Sequence, residues 1–342
     1  MRILQIDNWQ WRRYGRIRVS TSRKLYHGLI RQGHKVLEFS DRDIASYEAP
    51  LKIKALGRRR ANTRLIETCE QYRPDMILLG HADLISNATL QTVRELNPAM
   101  RIAYRNVDPL FSSRTVKHIE RRADVVDSIF VTTGGAALKR FVRPSNRVAF
   151  MPNPTDASIE DMDNSEKDNF RWDLTFCGIG KPGDPRIDLI ERLRKDCDDL
   201  TFGIFGLFGT KPVWGADYDQ VLSDSKMALN LNRVEGDSLY SSARISQLMG
   251  NGILTFLSAR SGLQRFFSDS QAVFFNDSDH LLQQINRFHA DDAARKTVAA
   301  AGRAHYHQQF SGQNVAQFMI ETTFDQPYSN DYCWQDQVFR HQ

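Results

Sequence analysis

The pattern that most restricts the fold is an alternation of short apolar runs with helix-spaced segments, which stops once and then restarts. Arg2–Asp7 (RILQID) precedes a helical spacing over Ser20–Gly33 and a second apolar run at Lys35–Phe39. Further strands are predicted at Asp75–Leu79, Arg101–Arg105, Ser128–Val131 and Arg147–Met151, with helices ending near Tyr72, spanning Asn87–Leu96 and following Gly135. Strands alternating with helices build a parallel sheet covered by helices. Residues 152–172 (PNPTDASIEDMDNSEKDNFRW) interrupt the pattern and read as a polar, acidic linker. It resumes with strands at Asp173–Cys177, Thr201–Phe205, Met227–Leu231, Ile253–Phe256 and Ala272–Phe275. Helices are predicted from Asp184 or Pro185 to Lys195, over Tyr218–Ser223, Val298–Phe310 and Val315–Phe324. A chain of 342 residues suits two such domains of about 150 residues each. The expectation is an α/β protein with two Rossmann-like doubly wound domains. The first spans 1–153, a linker 154–171, the second domain 172–325, and a tail without clear period 326–342.

Composition removes several classes of function. No run of about 18 apolar residues occurs, so no membrane-spanning helix is expected. The opening MRILQID lacks the layout of a signal peptide. The cysteines Cys69, Cys177, Cys197 and Cys333 are scattered without CxxC or Cys/His spacing; they read as free thiols in a reducing, cytoplasmic setting. Charge is uneven. Residues 1–155 hold 28 Lys+Arg against 14 Asp+Glu, whereas residues 156–342 hold 18 against 27. A basic half suits something anionic: nucleic acid, an acidic membrane surface or a phosphorylated substrate. Solvated helix faces account for part of it. The arginines are spread over several loops and helices with no recognisable reading module, so nucleic acid is not the expected partner.

Chemistry is sought at strand carboxyl ends, where open α/β sheets bind ligands. The loop Asn8–Arg18 holds Trp9, Trp11 and Tyr14 among Arg12, Arg13, Arg16 and Arg18. It lacks GxGxxG, which argues against a dinucleotide; its residues suit clamping a sugar or phosphate, or a plain basic surface loop. His81, Asp83 and Asp108 follow predicted strands, and each is a candidate general base or a loop cap. The turn Gly178-Ile179-Gly180-Lys181-Pro182-Gly183 brings backbone near a phosphate with Lys181 or Arg186 as counter-charge, though it is no Walker A sequence. The stretch Ser225–Gly252 is central. A strand delivers a polar loop, Asn232–Tyr240, to a helix expected to open on Ser241-Ser242 with Arg244 in its first turn. Serine caps, helix dipole and guanidinium would converge on a phosphate; the alternative is an ordinary connection with a solvated arginine.

Three blocks carry a family likeness: DLTFCGIGKPGDPR, YDQVLSDSKMALNLNR, and YSSARISQLMGNGILTF followed by SGLQRFF. Over about residues 172–325 the chain resembles the carboxyl-terminal domain of GT-B glycosyltransferases, in the group 1 branch that includes CgeB-like proteins. The resemblance implies two domains facing a cleft, a nucleotide-sugar donor in the second and a glycan or lipid-linked, anionic acceptor in the first. It places Gly178, Gly180, Lys181, Ser241, Ser242 and Arg244 near the diphosphate, with Asn232, Arg233 and Tyr240 on the same donor side. Gln247 stands where many relatives carry a ribose-binding carboxylate, and Leu239 replaces its partner glutamate, with Glu235 nearby but out of register. Lys181, Arg233 and Arg244 would stabilise the departing charge without a metal or a cofactor, and His81, Asp83 or Asp108 would serve as base. The implied function is a metal-independent glycosyltransferase of surface polysaccharide biosynthesis, cytoplasmic, with peripheral contact to the inner membrane face as one role for the basic half. The alternatives are a non-catalytic nucleotide-sugar-binding protein and a sugar-nucleotide epimerase of the same architecture.

Overall fold

A computed structural model of the chain describes residues 1–16, 20–234, 236 and 238–341. Arg18 and Glu235, both singled out above, lie outside the described residues. The chain forms two compact units, one of Met1–Pro152 with Gly312–Gln342 and one of Asn153–Ser311.

The first unit begins β1 (Arg2–Asp7), α1 (Thr21–Arg31), β2 (Lys35–Ser40), α2 (Asp41–Tyr47), α3 (Arg58–Tyr72), β3 (Met76–Leu79) and α4 (Asn87–Leu96). It continues with β4 (Arg101–Asn106), α5 (Ser113–Ala123), β5 (Ser128–Val131) and β6 (Arg147–Phe150). The second unit holds β7 (Trp172–Cys177), α6 (Pro185–Asp196), β8 (Phe202–Phe205), α7 (Ala216–Ser223), β9 (Ser225–Asn230) and α8 (Arg244–Gly250). Then come β10 (Leu254–Ser258), β11 (Val273–Phe275), α9 (Ser278–Ala290) and α10 (Asp292–Gln309). The chain finally returns to the first unit as α11 (Gly312–Phe324) and β12 (Val338–Arg340).

Local chemistry starts most of these helices. Ser20, Ser86 and Ser112 cap α1, α4 and α5, and Asp184, Asp277 and Asp291 cap α6, α9 and α10, each side chain accepting a first-turn N–H. The strands β3 (MILL) and β5 (SIFV) are buried along their whole length, as expected when helices cover both faces of a parallel sheet. In the second unit, Leu174, Phe176, Ile190, Met227, Leu229 and Phe256 form the centre of one apolar core.

Strand order decides where ligands belong. The first sheet runs β12-β6-β5-β4-β3-β1-β2, parallel except for β12, which is antiparallel to β6. The second runs β11-β10-β9-β7-β8, all parallel. The winding therefore reverses between β1 and β3 in one sheet and between β7 and β9 in the other. At such a switch point the loops leaving two adjacent strands diverge and open a crevice at their carboxyl ends.

Three expectations need correction. Residues 154–171 are not a free linker but part of the second unit, which begins at Asn153. Thr155, Asp156, Glu160, Asn164 and Ser165 are buried there, and Asn164 Nδ2 donates to the carbonyls of Leu222 and Ser225, both at 2.8 Å. Part of the polarity of this stretch goes into satisfying buried main-chain groups. The segment after Gly135 is a short 3₁₀ turn, Ala136–Phe141. Lastly, α11 and the tail belong to the first unit. A Cβ on Gly28 of α1 would lie 2.3 Å from the carbonyl carbon of Gly312, so the two helices meet backbone to backbone. Behind them Phe318 gathers Tyr328, Tyr332 and the buried Trp334, whose clustering holds the aperiodic tail.

Candidate functional site

At the β7/β9 switch point one side chain spans both strand ends. Arg244 Nη1 donates to the carbonyl of Cys177 at 2.8 Å, and Nη2 donates to the carbonyl of Leu231 at 2.7 Å. Its guanidinium carbon lies 4.8 Å from the Phe176 ring centroid, and that of Arg186 lies 5.5 Å from the same ring. Burial pulls the Arg244 guanidinium below its usual pKa. Gly178 is required beside this stack: a Cβ there would fall 2.8 Å from Phe176 Cζ and 3.3 Å from Arg244 Nη1.

The glycine-rich turn is stitched to the strand beside it. The Gly178 N–H donates to the Phe205 carbonyl at 3.0 Å and the Gly180 N–H to the Gly206 carbonyl at 3.4 Å. Asp184, buried at the start of α6, receives Arg186 at 2.8 and 2.5 Å and faces Arg233 at 3.7 Å. Its hydrogen bonds with Arg186 hold the carboxyl below the usual carboxylate range. Arg233 also donates to the Ile179 carbonyl at 3.1 Å, which links the loop after β9 to the loop after β7. Lys181, on the loop after β7, is exposed.

The polar loop before α8 organises itself. Asn230 Nδ2 donates to Ser241 Oγ at 2.8 Å, and Asn232 Nδ2 donates to the Tyr240 carbonyl at 2.9 Å. The Oδ1 atom of Asn232 is buried and has no hydrogen-bond partner among the described residues. Tyr218 OH donates to Gln247 Oε1 at 2.8 Å on the following helix.

At the β1/β3 switch point of the first unit, Asp7 and Arg105 form a fully buried ion pair with Ser22 Oγ, which donates to Asp7 Oδ2 at 2.7 Å. Asp7 Oδ1 accepts the N–H of Asn8 at 2.9 Å and of His81 at 3.2 Å. The strand-end carboxylate thus fixes the loops after both β1 and β3. Asp83 pairs with Arg42 at 2.7 Å and lies 3.6 Å from His118 Nδ1. Asp108 is exposed, its N–H donating to Asn106 Oδ1 at 2.9 Å. Tyr104 is buried, and its phenol is pushed up by burial and by the charges of Asp83 and Asp108.

Residues 186–321 match a family model described as "Glycosyl transferase-like". No curated protein matches the chain. Among solved structures, Anabaena Alr3699/HepE in complex with UDP and glucose superposes with TM-score 0.62 at 14% identity, over 95% of this chain and 100% of that one. Sucrose-phosphate synthase from Thermosynechococcus elongatus gives 0.60 at 13% identity, over 95% and 98%. AviGT4, a glycosyltransferase involved in avilamycin A biosynthesis, gives 0.60 at 12% identity, over 94% and 97%. The fold is GT-B.

Of the residues expected on the donor side, Gly178, Gly180 and Lys181 follow β7, Asn232 and Arg233 follow β9, Tyr240, Ser241 and Ser242 lie in the approach to α8, and Arg244 and Gln247 lie on α8. Their local geometry departs from expectation in two ways. The helix starts at Arg244 with Ala243 at its cap, so Ser241 and Ser242 do not cap it; Ser241 is instead buried under Asn230. Arg244 is not a solvated cation, because both its terminal nitrogens hold main-chain carbonyls. The N–H groups of Gly178 and Gly180 are likewise occupied. The cations facing outward are Lys181 and the half-exposed Arg233.

On the first unit, Asp83 and Asp108 share the surroundings of Tyr104, whereas His81 is anchored through its main chain to Asp7. The sequence reading missed Asp41, the first residue of α2. It is wholly buried and accepts the Leu84 N–H at 3.1 Å with one oxygen, while the other has no hydrogen-bond partner among the described residues. Burial pushes its carboxyl up to about 7. Its position directly after a strand is the same signal that marked Asp83. Among the described residues, no group of three or more His, Cys, Asp or Glu side chains is arranged to hold a metal ion.

Proposed function

We propose that this protein is a glycosyltransferase whose second unit binds a uridine-diphosphate sugar and whose first unit binds the acceptor. The observation that carries the reading is the β7/β9 switch point, where Arg233 and Arg244 tie two strand-end loops together and Lys181 projects from one of them. Such a crevice, edged by cations and lined by a preset polar loop, suits a diphosphate. The uridine assignment draws on Alr3699/HepE, solved with UDP and with UDP-glucose.

In the reaction, an acceptor hydroxyl attacks the anomeric carbon. The bond from that carbon to the diphosphate oxygen breaks, and its electron pair leaves with UDP. Lys181 and Arg233 stabilise the charge that gathers there, so no metal is called for. The hydroxyl proton passes to a base on the first unit. Asp83 already answers Arg42, which leaves His81 and Asp108, whose side chains have no hydrogen bond or ion pair among the described residues. The basic balance of the first half favours a phosphorylated or lipid-linked glycan as acceptor, as in surface polysaccharide synthesis at the cytoplasmic side of a membrane. Kinship with CgeB-like proteins rests on the three sequence blocks.

The test is thermal stabilisation by UDP, GDP, dTDP, ADP, CMP and their sugar conjugates. A ligand at about 100 times its dissociation constant adds about 2.7 kcal/mol to folding. Stabilisation by UDP and a UDP-sugar is expected, followed by UDP release that depends on an acceptor. No stabilisation by any nucleotide would overturn the donor assignment. Conversion of the sugar nucleotide to an isomer without acceptor would select the epimerase alternative.

A further inference from the structure

The segment between α2 and α3 exposes apolar side chains that a free-standing surface would cover. Leu51 is 88% exposed, Leu56 61%, Tyr47 58% and Ile53 47%. The intervening residues are cationic: the run is PLKIKALGRRR, and no acidic residue occurs between Glu48 and Glu67. The nearby carboxylates are already answered. Glu48 receives Arg64 at 2.8 Å, and the buried Asp43 receives Arg12 at 2.8 Å.

This exposure is built into the backbone. Leu51 and Lys52 both adopt left-handed φ of 56°, which side chains rarely take. Ser46 Oγ donates to the Lys52 carbonyl at 2.6 Å, fastening the loop to α2. At its far end Gly57 lies flat on α2, where a Cβ would fall 1.7 Å from the Ala45 carbonyl oxygen. The aromatic loop after β1 is fastened to the same helix: the Trp11 N–H donates to Asp43 Oδ2 at 2.9 Å, and Arg12 Nη1 donates to Ser46 Oγ at 2.6 Å. That loop adds Tyr14, 92% exposed, and the exposed Arg13.

We propose that this face, with Leu51, Ile53 and Leu56 at its centre, docks on an anionic lipid bilayer. Charge complementarity selects the occupant. Lys52, Lys54 and Arg59 stand level with lipid phosphates while the alternating aliphatic side chains enter the acyl boundary, and Tyr14 and Tyr47 sit at headgroup depth. Aliphatic side chains between the lysines gain nothing on a nucleic-acid backbone, which needs cations alone. The inference stands apart from the donor assignment, since it uses no residue of the second unit.

The experiment is flotation of the full chain with phosphatidylcholine vesicles, with and without about 30% phosphatidylglycerol, the salt rising from about 0.1 M to about 0.5 M. Wild type is expected to float with the anionic vesicles, not with the neutral ones, and to be released by salt. Neutralising Lys52 and Lys54 to Gln should weaken partition about fivefold per lysine. The triple change Leu51→Ser, Ile53→Ser and Leu56→Ser should weaken it about tenfold or more, with melting unchanged because these side chains are exposed. The proposal is overturned if wild type does not float, or floats equally with neutral vesicles. It is also overturned if the serine variant floats like wild type, for the surface would then be a plain polyanion binder. Retention on duplex DNA without flotation would assign the face to nucleic acid.

Discussion

The guanidinium of Arg244 rests on the Phe176 ring, 4.8 Å from its centre, while holding the carbonyl of the next residue, Cys177, at 2.8 Å. Together with the 2.7 Å bond to Leu231, this makes the arginine a brace across the ends of β7 and β9. Arg244→Ala is therefore expected to lower stability by about 2–4 kcal/mol, through two charge-assisted hydrogen bonds and a partly buried cation–π contact. Urea unfolding of the variant reads this directly. Unchanged stability would mean that the two strand ends hold without the brace.

Lys181 and Arg233 have the opposite profile. Lys181 is exposed, and Arg233 keeps about half of its side chain in solvent, at 49%. Lys181→Ala and Arg233→Ala should each weaken UDP binding about tenfold, the worth of one charge-assisted hydrogen bond; Lys181→Ala should leave the melting temperature in place, and Arg233→Ala, which also loses its bond to the Ile179 carbonyl, should lower it only slightly. Titration calorimetry with UDP checks both variants. Wild-type affinity in the pair would remove the diphosphate from this crevice.

How much of this was readable depends on how far apart in the chain the partners lie. β3 is an unbroken apolar run closed by Gly80-His81, so the position of His81 and Asp83 at a strand end was legible. That the His81 N–H meets Asp7 was not, because it depends on β1 and β3 being neighbours in the sheet. The Asp7–Arg105 pair joins residues 98 positions apart and leaves no local trace. Arg244 misled for a related reason. Its spacing marks a first helical turn, but whether it faces water is decided by two strand ends, one of them 67 residues away. The polar stretch after residue 152 looks like a linker by composition, since composition does not record that Asn164 ends up capping the carbonyls around β9.

Asp41 makes stability depend on pH. Its carboxyl is raised to about 7 by burial, with Arg42 opposing the shift and Asp83 adding to it. An acid with a raised folded-state pKa binds its proton more tightly in the native state than in the unfolded chain. Its contribution is complete below about pH 4 and is lost as pH rises through about 7. A shift of this size corresponds to a few kcal/mol at about 1.4 kcal/mol per unit. Asp41→Asn keeps an acceptor for the Leu84 N–H and has no proton to lose. Urea unfolding at about pH 5 and about pH 8 should show wild type losing more stability than the variant across that interval. Parallel losses in the two proteins would remove Asp41 as the source.

The meeting of Gly28 and Gly312 tests where the last helix belongs. In an isolated helix, Gly28→Ala would gain about 1 kcal/mol of helix propensity. In this fold the added methyl would sit 2.3 Å from both the carbonyl carbon and oxygen of Gly312, backbone atoms that cannot rotate aside. Either α1 or α11 has to shift, which separates Gln32 from the Gln313 carbonyl it now reaches at 2.8 Å. Overpacking of this kind costs about 1–3 kcal/mol, so the loss outweighs the gain in propensity. A net destabilisation of up to about 2 kcal/mol is expected in urea unfolding, together with faster amide exchange in α11. A variant more stable than wild type would show that α11 does not close on α1, and would return the C-terminal helix to the second unit.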